Sequence, residues 1–324
     1  MSALTLRQGP AATRVLGIGS TQPDRVVTND DLARHMDTND QWIRERVGIV
    51  ERRFAGEDER LVDMAVAAGA KALADAGADP SEVDTVILPN CTMPTPIPNA
   101  AAQVADRIGI TGAGAFDINA ACAGFCYGLA LASDLIRGGS AGKVLVIGAE
   151  KLTDVVDPTD RSTAIIFADG AGAALVGPAD EPGIGPVSWG SAGDQVDMIY
   201  MRDHKYLFQE GQSVFRWATT QIAPVATQAV ELAGLQLSDV DVLIPHQANL
   251  RIVESIAKRL RAQGARDDMV VADDIRYSGN TSSASIPLAL DHMRASGTVS
   301  SGDVVLAVGF GAGLSYAGQV LICP

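Results

Sequence analysis

Apolar positions along this chain follow two rhythms. Short stretches of consecutive β-branched and other apolar residues recur: "DTVILP" (84–89), "KVLVIGAE" (143–150), "AGAALVG" (171–177), "VDVLIP" (240–245) and "DVVLAVGFG" (303–311). Runs of this kind predict strands buried on both faces of a sheet. Ala-rich helical stretches precede or separate them, as in "LVDMAVAAGAKALADAG" (61–77) and "AGFCYGLALASDLIRGG", which stops at Gly138-Gly139. Strands alternating with helices of this length predict an α/β protein whose sheets are covered by helices on both sides.

The pattern also occurs twice. "ALADAGADPSEVDTVILP" (72–89) and "AVELAGLQLSDVDVLIPH" (229–246) share helix, Ala-Gly stop, Ser-acid-Val-Asp and apolar strand, 157 positions apart without a gap. "GKVLVIG" (142–148) and "GDVVLAVG" (302–309) form a looser second pair. Any α/β protein reuses this vocabulary, but here order and separation match as well as composition. The expectation is two fused copies of one unit, residues 1–180 and 181–324, divided near the Gly/Pro-rich "GPADEPGIGP" (177–186). Cys91 follows a strand of the first copy, and His246 ends the matching strand of the second. Active sites of α/β proteins gather at such strand ends, so each copy can supply a different group to one cleft.

Charge narrows the function. Asp and Glu outnumber Lys and Arg by 39 to 25 over 324 residues, a formal net charge of −14. General nucleic-acid binding needs a basic footprint and is disfavoured, although a local basic patch can serve an acidic partner. The four cysteines, at 91, 122, 126 and 323, have no disulfide or zinc spacing, so no metal is expected. The start lacks a basic segment followed by an apolar run, and no stretch reaches eighteen apolar residues. A cytoplasmic protein with no membrane partner is expected.

Candidate chemistry begins at "DINAACAGFCYGL" (117–129). Cys122 falls where a short run turns into a helix, near unpaired N–H groups and the positive helix end, which favour thiolate. Cys126 lies one turn deeper beside Phe125 and Tyr127, where a neutral thiol is content. Position alone leaves open whether both are small apolar residues filling a helix. Of the four histidines, His35 and His292 sit in charged helical surroundings facing solvent, and His204 in a surface loop or flap. His246, in "LIPHQANLRI", follows a strand and precedes a helix, as a cap or as a functional group. "YSGNTSSASIPLAL" (277–290) reads as a tight turn into an amphipathic helix. Its hydroxyl residues serve as ordinary caps, or its Asn280 as an amide donor to an oxyanion. "GFGAGLSY" (309–316) exposes backbone N–H groups through its glycines but lacks the spacing of a dinucleotide loop.

Together, Cys122 in "DINAACAGFCYGL", His246 in "HQANLRI", Asn280 in "GNTSSAS", and the stretches "FADGAGAALV" and "GFGAGL" closely resemble the thiolase-like condensing enzymes, above all the β-ketoacyl-acyl carrier protein synthase III family. The resemblance covers nearly the whole chain. It implies a thiolase-like fold of two pseudo-equivalent α/β halves in a layered α-β-α-β-α arrangement. It implies a Cys122 nucleophile that takes an acyl group from acyl-CoA, with the Cys122 and Ala312 amides as oxyanion hole. His246 and Asn280 would assist decarboxylation of malonyl-acyl carrier protein and condensation. Trp42, Arg46 and Arg161 match coenzyme A contacts, and Asn249 matches a residue near the pantetheine arm. Ile97 matches an acyl-pocket residue, often Phe in short-chain-selective bacterial members, that reaches the neighbouring subunit of a homodimer. Arg251, Lys258 and Arg259 resemble the carrier-protein surface, or form a plain solvated helix face. No cofactor beyond the coenzyme A thioester and phosphopantetheine-linked substrates is implied.

Asn280 bears on the reaction, because a carboxylate in its place would repel a forming enolate. Decarboxylative condensation is therefore expected, and the resemblance implies that it initiates fatty acid biosynthesis. The alternative is a related acyltransferase or starter-unit enzyme of a natural-product (polyketide) pathway. A thiolase would need a second cysteine in the late glycine loop, where none occurs.

Overall fold

Two mixed sheets of five strands each form the frame of the molecule. The structure, a computed structural model, describes residues 4, 5 and 7–324. In the first sheet the order is Ala12–Thr21, Asp169–Ala179, Val144–Lys151, Thr85–Pro89 and Gly114–Ile118. In the second it is Ser188–Ser191, Ser315–Ile322, Val304–Gly311, Val242–Pro245 and Val270–Val271. Pairing directions also correspond: two antiparallel contacts, then two parallel ones, in each sheet.

The repeated Ser-acid-Val-Asp signature has the same local job in both places. A 3₁₀ turn at Pro80–Glu82 returns at Leu237–Asp239, 157 positions later. Glu82 accepts the Asp79 N–H at 2.8 Å, and Asp239 accepts the Gln236 N–H at 2.8 Å. The following aspartate ties down the start of the neighbouring strand. Asp84 accepts from Gly142 N and Lys143 N at 2.7 and 2.9 Å, and Asp241 accepts from Val304 N at 2.8 Å. The sequence repeat thus encodes register between parallel strands, where no hairpin can set it.

Helices fill three layers around the sheets. Leu61–Asp75 and Ala100–Ile108 bury Met64, Ala68, Val104 and neighbours against the outer face of the first sheet. Gly211–Leu232 and Leu250–Ala262 do the same for the second, through Ile222, Ala226, Ile256 and Leu260. Gly124–Arg137 and Ser285–Ala295 lie between the sheets, in one core with Val146, Ile244 and Val305. This position overturns one expectation. The segment after Asn280 is not amphipathic: Ser285–Leu290 is buried throughout, because a sheet covers each side. Nor does a Ser or Thr cap it, since Ala284 precedes it without a side-chain hydrogen bond. The middle layer needs strands without side chains where backbones meet. A Cβ on Gly148 would stand 2.3 Å from the Ser283 carbonyl oxygen. Among the described residues no helix is long and apolar enough to cross a membrane.

Candidate active site

Strand ends of both sheets open onto one cavity of about 700 Å3. The first sheet contributes Cys91, just after Thr85–Pro89, and Cys122, after Gly114–Ile118. The second contributes His246, directly after Val242–Pro245, and Ala312, directly after Val304–Gly311. Asn280 enters from the turn before the central helix.

Cys122 is half-buried in a single 3₁₀ turn at Ala121–Ala123, entered through Ala121 at φ 45°. Asn119 holds that turn by accepting the Ala121 N–H at 3.1 Å. Gly309 and Gly311 lie against it: a Cβ on Gly311 would be 2.7 Å from the Cys122 nitrogen, and one on Gly309 2.8 Å from the Ala123 Cα. The late glycines are therefore demanded by close packing on the cysteine turn. The expected thiolate is corrected. Burial pushes the Cys122 thiol up to about 12, against a Ser282 hydroxyl that favours the anion and a nearby Glu150 that opposes it. Desolvation outweighs the donors because the α-helix starts only at Gly124, beyond the cysteine. Cys126 is fully buried among Phe125, Leu129 and Ile244, and burial raises its thiol to about 12 as well.

His246 is 2 % exposed, and burial lowers its imidazole to about 3, so it is neutral. The ring stands edge-on to Phe310, centroids 5.4 Å apart, and Nδ1 lies 2.7 Å from the Ser285 hydroxyl. Asn280, 4 % exposed, is held by the single segment 166–168: its N–H donates to the Ile166 carbonyl and its C=O accepts from Ala168. Its side-chain Oδ1 accepts the Ser282 N–H at 2.9 Å, which leaves the amide NH2 as the free end. A buried Glu150 joins the cysteine side to the asparagine side. It accepts from Thr92 Oγ1 at 2.6 Å, Cys91 N at 3.1 Å and Ser283 Oγ at 2.9 Å.

The cavity mouth is cationic. Trp42 is flanked by Arg161 and Arg46, whose guanidinium carbons lie 4.7 and 5.8 Å from a ring centroid. Asn249 donates to the Arg46 carbonyl at 3.3 Å while its Oδ1 accepts the Arg251 N–H at 2.9 Å, capping Leu250–Ala262. Arg251 lines the mouth over the Phe215 ring. Lys258 and Arg259 are exposed on the same helix and do not line the cavity. Ile97 is not brought to the cavity of its own chain: it is 84 % exposed. Of the remaining histidines, His35 and His204 are exposed, and His292, in the last turn of its helix, keeps its side chain 41 % exposed while its Nδ1 pairs with Asp274 at 2.8 Å. Residue types and spacing single out neither Ser285 nor Glu150 nor Ser282. Each acquires its partner from a segment distant along the chain: Ser285 from His246, Glu150 from Thr92 and Ser283, and Ser282 from Cys91.

A half-buried cysteine and a free Asn280 amide in one cavity with a cationic mouth, set between two sheets of matching strand order, fit an acyl-transferring enzyme of thiolase-like fold. Comparisons with known proteins make the assignment specific. The family described as 3-oxoacyl-[acyl-carrier-protein (ACP)] synthase III matches at residues 116–193, and its C-terminal counterpart at 230–323. A β-ketoacyl-[acyl-carrier-protein] synthase III of Streptomyces coelicolor is 50% identical over 316 residues, covering 96% of this chain and 99% of that protein. One of Mycobacterium avium is 46% identical, covering 100% and 99%. Among solved structures, the priming β-ketosynthase of the R1128 polyketide pathway superposes with TM-score 0.95 at 42% identity, covering 100% and 99%. The synthase III of Aquifex aeolicus gives 0.91 at 38%, covering 96% and 100%. The chain belongs to the β-ketoacyl-acyl carrier protein synthase III family. It condenses an acyl-CoA with malonyl-acyl carrier protein, the step that initiates fatty acid or polyketide biosynthesis.

Proposed function

We propose that Cys122, His246 and Asn280 carry this reaction, and that the chain primes fatty acid synthesis as a cytoplasmic homodimer. The observation that supports the reading is the shared cavity. A nucleophile from the first half faces two side-chain nitrogens of the second, each with its other polar atom already engaged. The equal strand orders of the two sheets support a division into duplicated halves near residue 180.

In the first half-reaction the Cys122 sulfur attacks the thioester carbon of acyl-CoA. The carbonyl oxygen becomes an oxyanion between the amides of Cys122 and Ala312. The C–S bond to coenzyme A breaks, and the proton of the Cys122 thiol ends on the departing thiol. In the second, malonyl-carrier protein loses CO2, and the bonding pair forms an enolate. His246 Nε2–H and the Asn280 amide hold its oxygen, and its carbon attacks the acyl-cysteine. The Cys122 thiolate is released and takes a proton from solvent. Neutral donors suit this step, since a carboxylate would raise the energy of the enolate.

Trp42, Arg46 and Arg161 would receive the nucleotide end of coenzyme A by stacking and charge, and Asn249 the pantetheine arm. Arg251, Lys258 and Arg259 would meet the acidic carrier protein. Exposed Ile97 suits a residue that completes the acyl pocket of a partner subunit, and its aliphatic side chain suits longer or branched primers. A second reading, a polyketide starter-unit enzyme, is favoured by the likeness to the R1128 priming ketosynthase. The deciding experiment incubates the protein with a panel of acyl-CoAs, follows the mass of the intact chain, and then adds malonyl-carrier protein. An adduct lost in Cys122→Ala, CO2 release and a β-ketoacyl product support the reading. Turnover only with a hydroxyl acceptor, or only with a polyketide carrier protein, would replace it.

A further inference from the structure

We infer that Ser285 is a positioning residue for condensation, fixing His246 in the tautomer that presents Nε2–H to the cavity; the inference rests on the donor role proposed for His246. The argument is an accounting of hydrogen bonds. Ser285 is 1 % exposed at the start of the helix between the sheets, so its hydroxyl must find partners within the protein. Its oxygen accepts the Gln247 N–H at 3.3 Å, and lies 2.7 Å from His246 Nδ1. Among the described residues these are its side-chain hydrogen bonds, and a backbone N–H cannot accept. The hydroxyl proton therefore has Nδ1 as its acceptor. An imidazole that accepts at Nδ1 while neutral carries its proton on Nε2. Burial keeps His246 neutral, which closes the alternative of a doubly protonated ring.

The surroundings hold this arrangement rigid. Gln247, fully buried, donates its side-chain amide to the Pro245 carbonyl at 2.7 Å and accepts the Ile275 N–H at 3.0 Å. The His246 N–H donates to the Val308 carbonyl at 2.7 Å, and Phe310 meets the ring edge-on. The main chain on both sides of the histidine is thus immobilised, and the serine hydroxyl selects which ring nitrogen bears hydrogen. With the opposite tautomer, Nε2 would turn a lone pair toward the enolate oxygen and repel it. The acyl-transfer step uses backbone amides and is indifferent to the choice.

Nitrogen-15 spectra of histidine-labelled protein, read with the rates of the two half-reactions, test this. Wild type is expected to show a protonated Nε2 and an unprotonated Nδ1 for His246. In Ser285→Ala the two forms mix, and kcat for malonyl-carrier protein decarboxylation falls about tenfold, the loss of one hydrogen bond. Its KM and the rate of Cys122 acylation stay within about twofold, and Ser285→Thr, which keeps the hydroxyl, restores the single tautomer. A protonated Nδ1 in wild type, an unchanged tautomer in Ser285→Ala, or an equal fall in both half-reactions overturns the inference. His246→Ala, run in parallel, separates the two readings. If it leaves decarboxylation intact, the donor role of His246 is lost, and the rate effect assigned to Ser285 goes with it.

Discussion

The backbone of Gly311 lies so close to Cys122 that a β-carbon on it would stand 2.8 Å from the Cys122 Cβ and 3.1 Å from its sulfur. Gly311→Ala must push Cys122 or the loop that carries Ala312. A displacement of this size near a reacting atom costs on the order of 100-fold in rate. The acylation time course, followed by intact mass, is expected to slow by about that factor. Acylation at the wild-type rate would mean that the late glycine loop is not packed on the cysteine.

Cys122 and His246 rest as a neutral pair, thiol and imidazole, with pKa values of about 12 and about 3. Alkylation of Cys122 by iodoacetamide should therefore rise about tenfold per pH unit between 7 and 10 without a plateau. A plateau near neutrality would reveal a thiolate–imidazolium pair. The same burial sets a stability window. The unfolded chain protonates His246 below about 6.5, whereas the folded protein does so only near 3, so folding loses stability as pH falls through that range. The advantage of wild type over His246→Asn in urea midpoints should shrink by about 2 kcal/mol from pH 7.5 to 5.

The two neighbouring cysteines separate cleanly by substitution. Cys122→Ala should abolish the acyl adduct while retaining the fold. Cys126→Ala leaves a small gap in the core around Phe125 and Leu129, costs roughly 1 kcal/mol of stability, and keeps the adduct. An adduct that follows Cys126 instead would reverse the roles.

Trp42 offers its ring to two guanidinium groups. Trp42→Ala removes cation–π contacts worth about 1 kcal/mol each near the surface, and leaves Arg161 without its stacking platform. KM for acyl-CoA should rise about tenfold, with decarboxylation of malonyl-carrier protein by the preacylated enzyme unchanged.

Lys258 and Arg259 lie on the helix whose first turn carries Arg251. About 1.5 Å of rise per residue places them some 10 Å along the helix from Arg251, outside the cavity lining. The double variant Lys258→Glu, Arg259→Glu should raise KM for malonyl-carrier protein several-fold and weaken its salt dependence. An equal effect on acyl-CoA would argue against a carrier-protein surface.

Much of this architecture was legible along the chain. The apolar runs at 84–89, 143–150, 171–177, 240–245 and 303–311 each became a strand, because continuous burial leaves a continuous apolar signature. The 157-residue repeat was visible because its Ser-acid-Val-Asp units make identical local turns and ties. Cys122, His246 and Asn280 could be nominated because each sits where a strand or tight turn gives way to a helix. Their common cavity is a result of packing the two sheets on a shared pair of helices.

What the sequence by itself determined is therefore five of the strands and the repeated turn that ties two of them in register, together with the nomination of Cys122, His246 and Asn280, since local propensity and periodic burial leave marks in composition. Only the tertiary structure decided how those residues are charged and oriented. The Cys122 thiol is raised by desolvation rather than lowered by a helix end, and the segment Ser285–Leu290 after Asn280 is buried throughout rather than amphipathic. The Ser285 hydroxyl reaches His246 across 39 positions of chain. Desolvation and hydrogen-bond geometry depend on neighbours brought from distant segments, and no spacing rule along one segment can contain them.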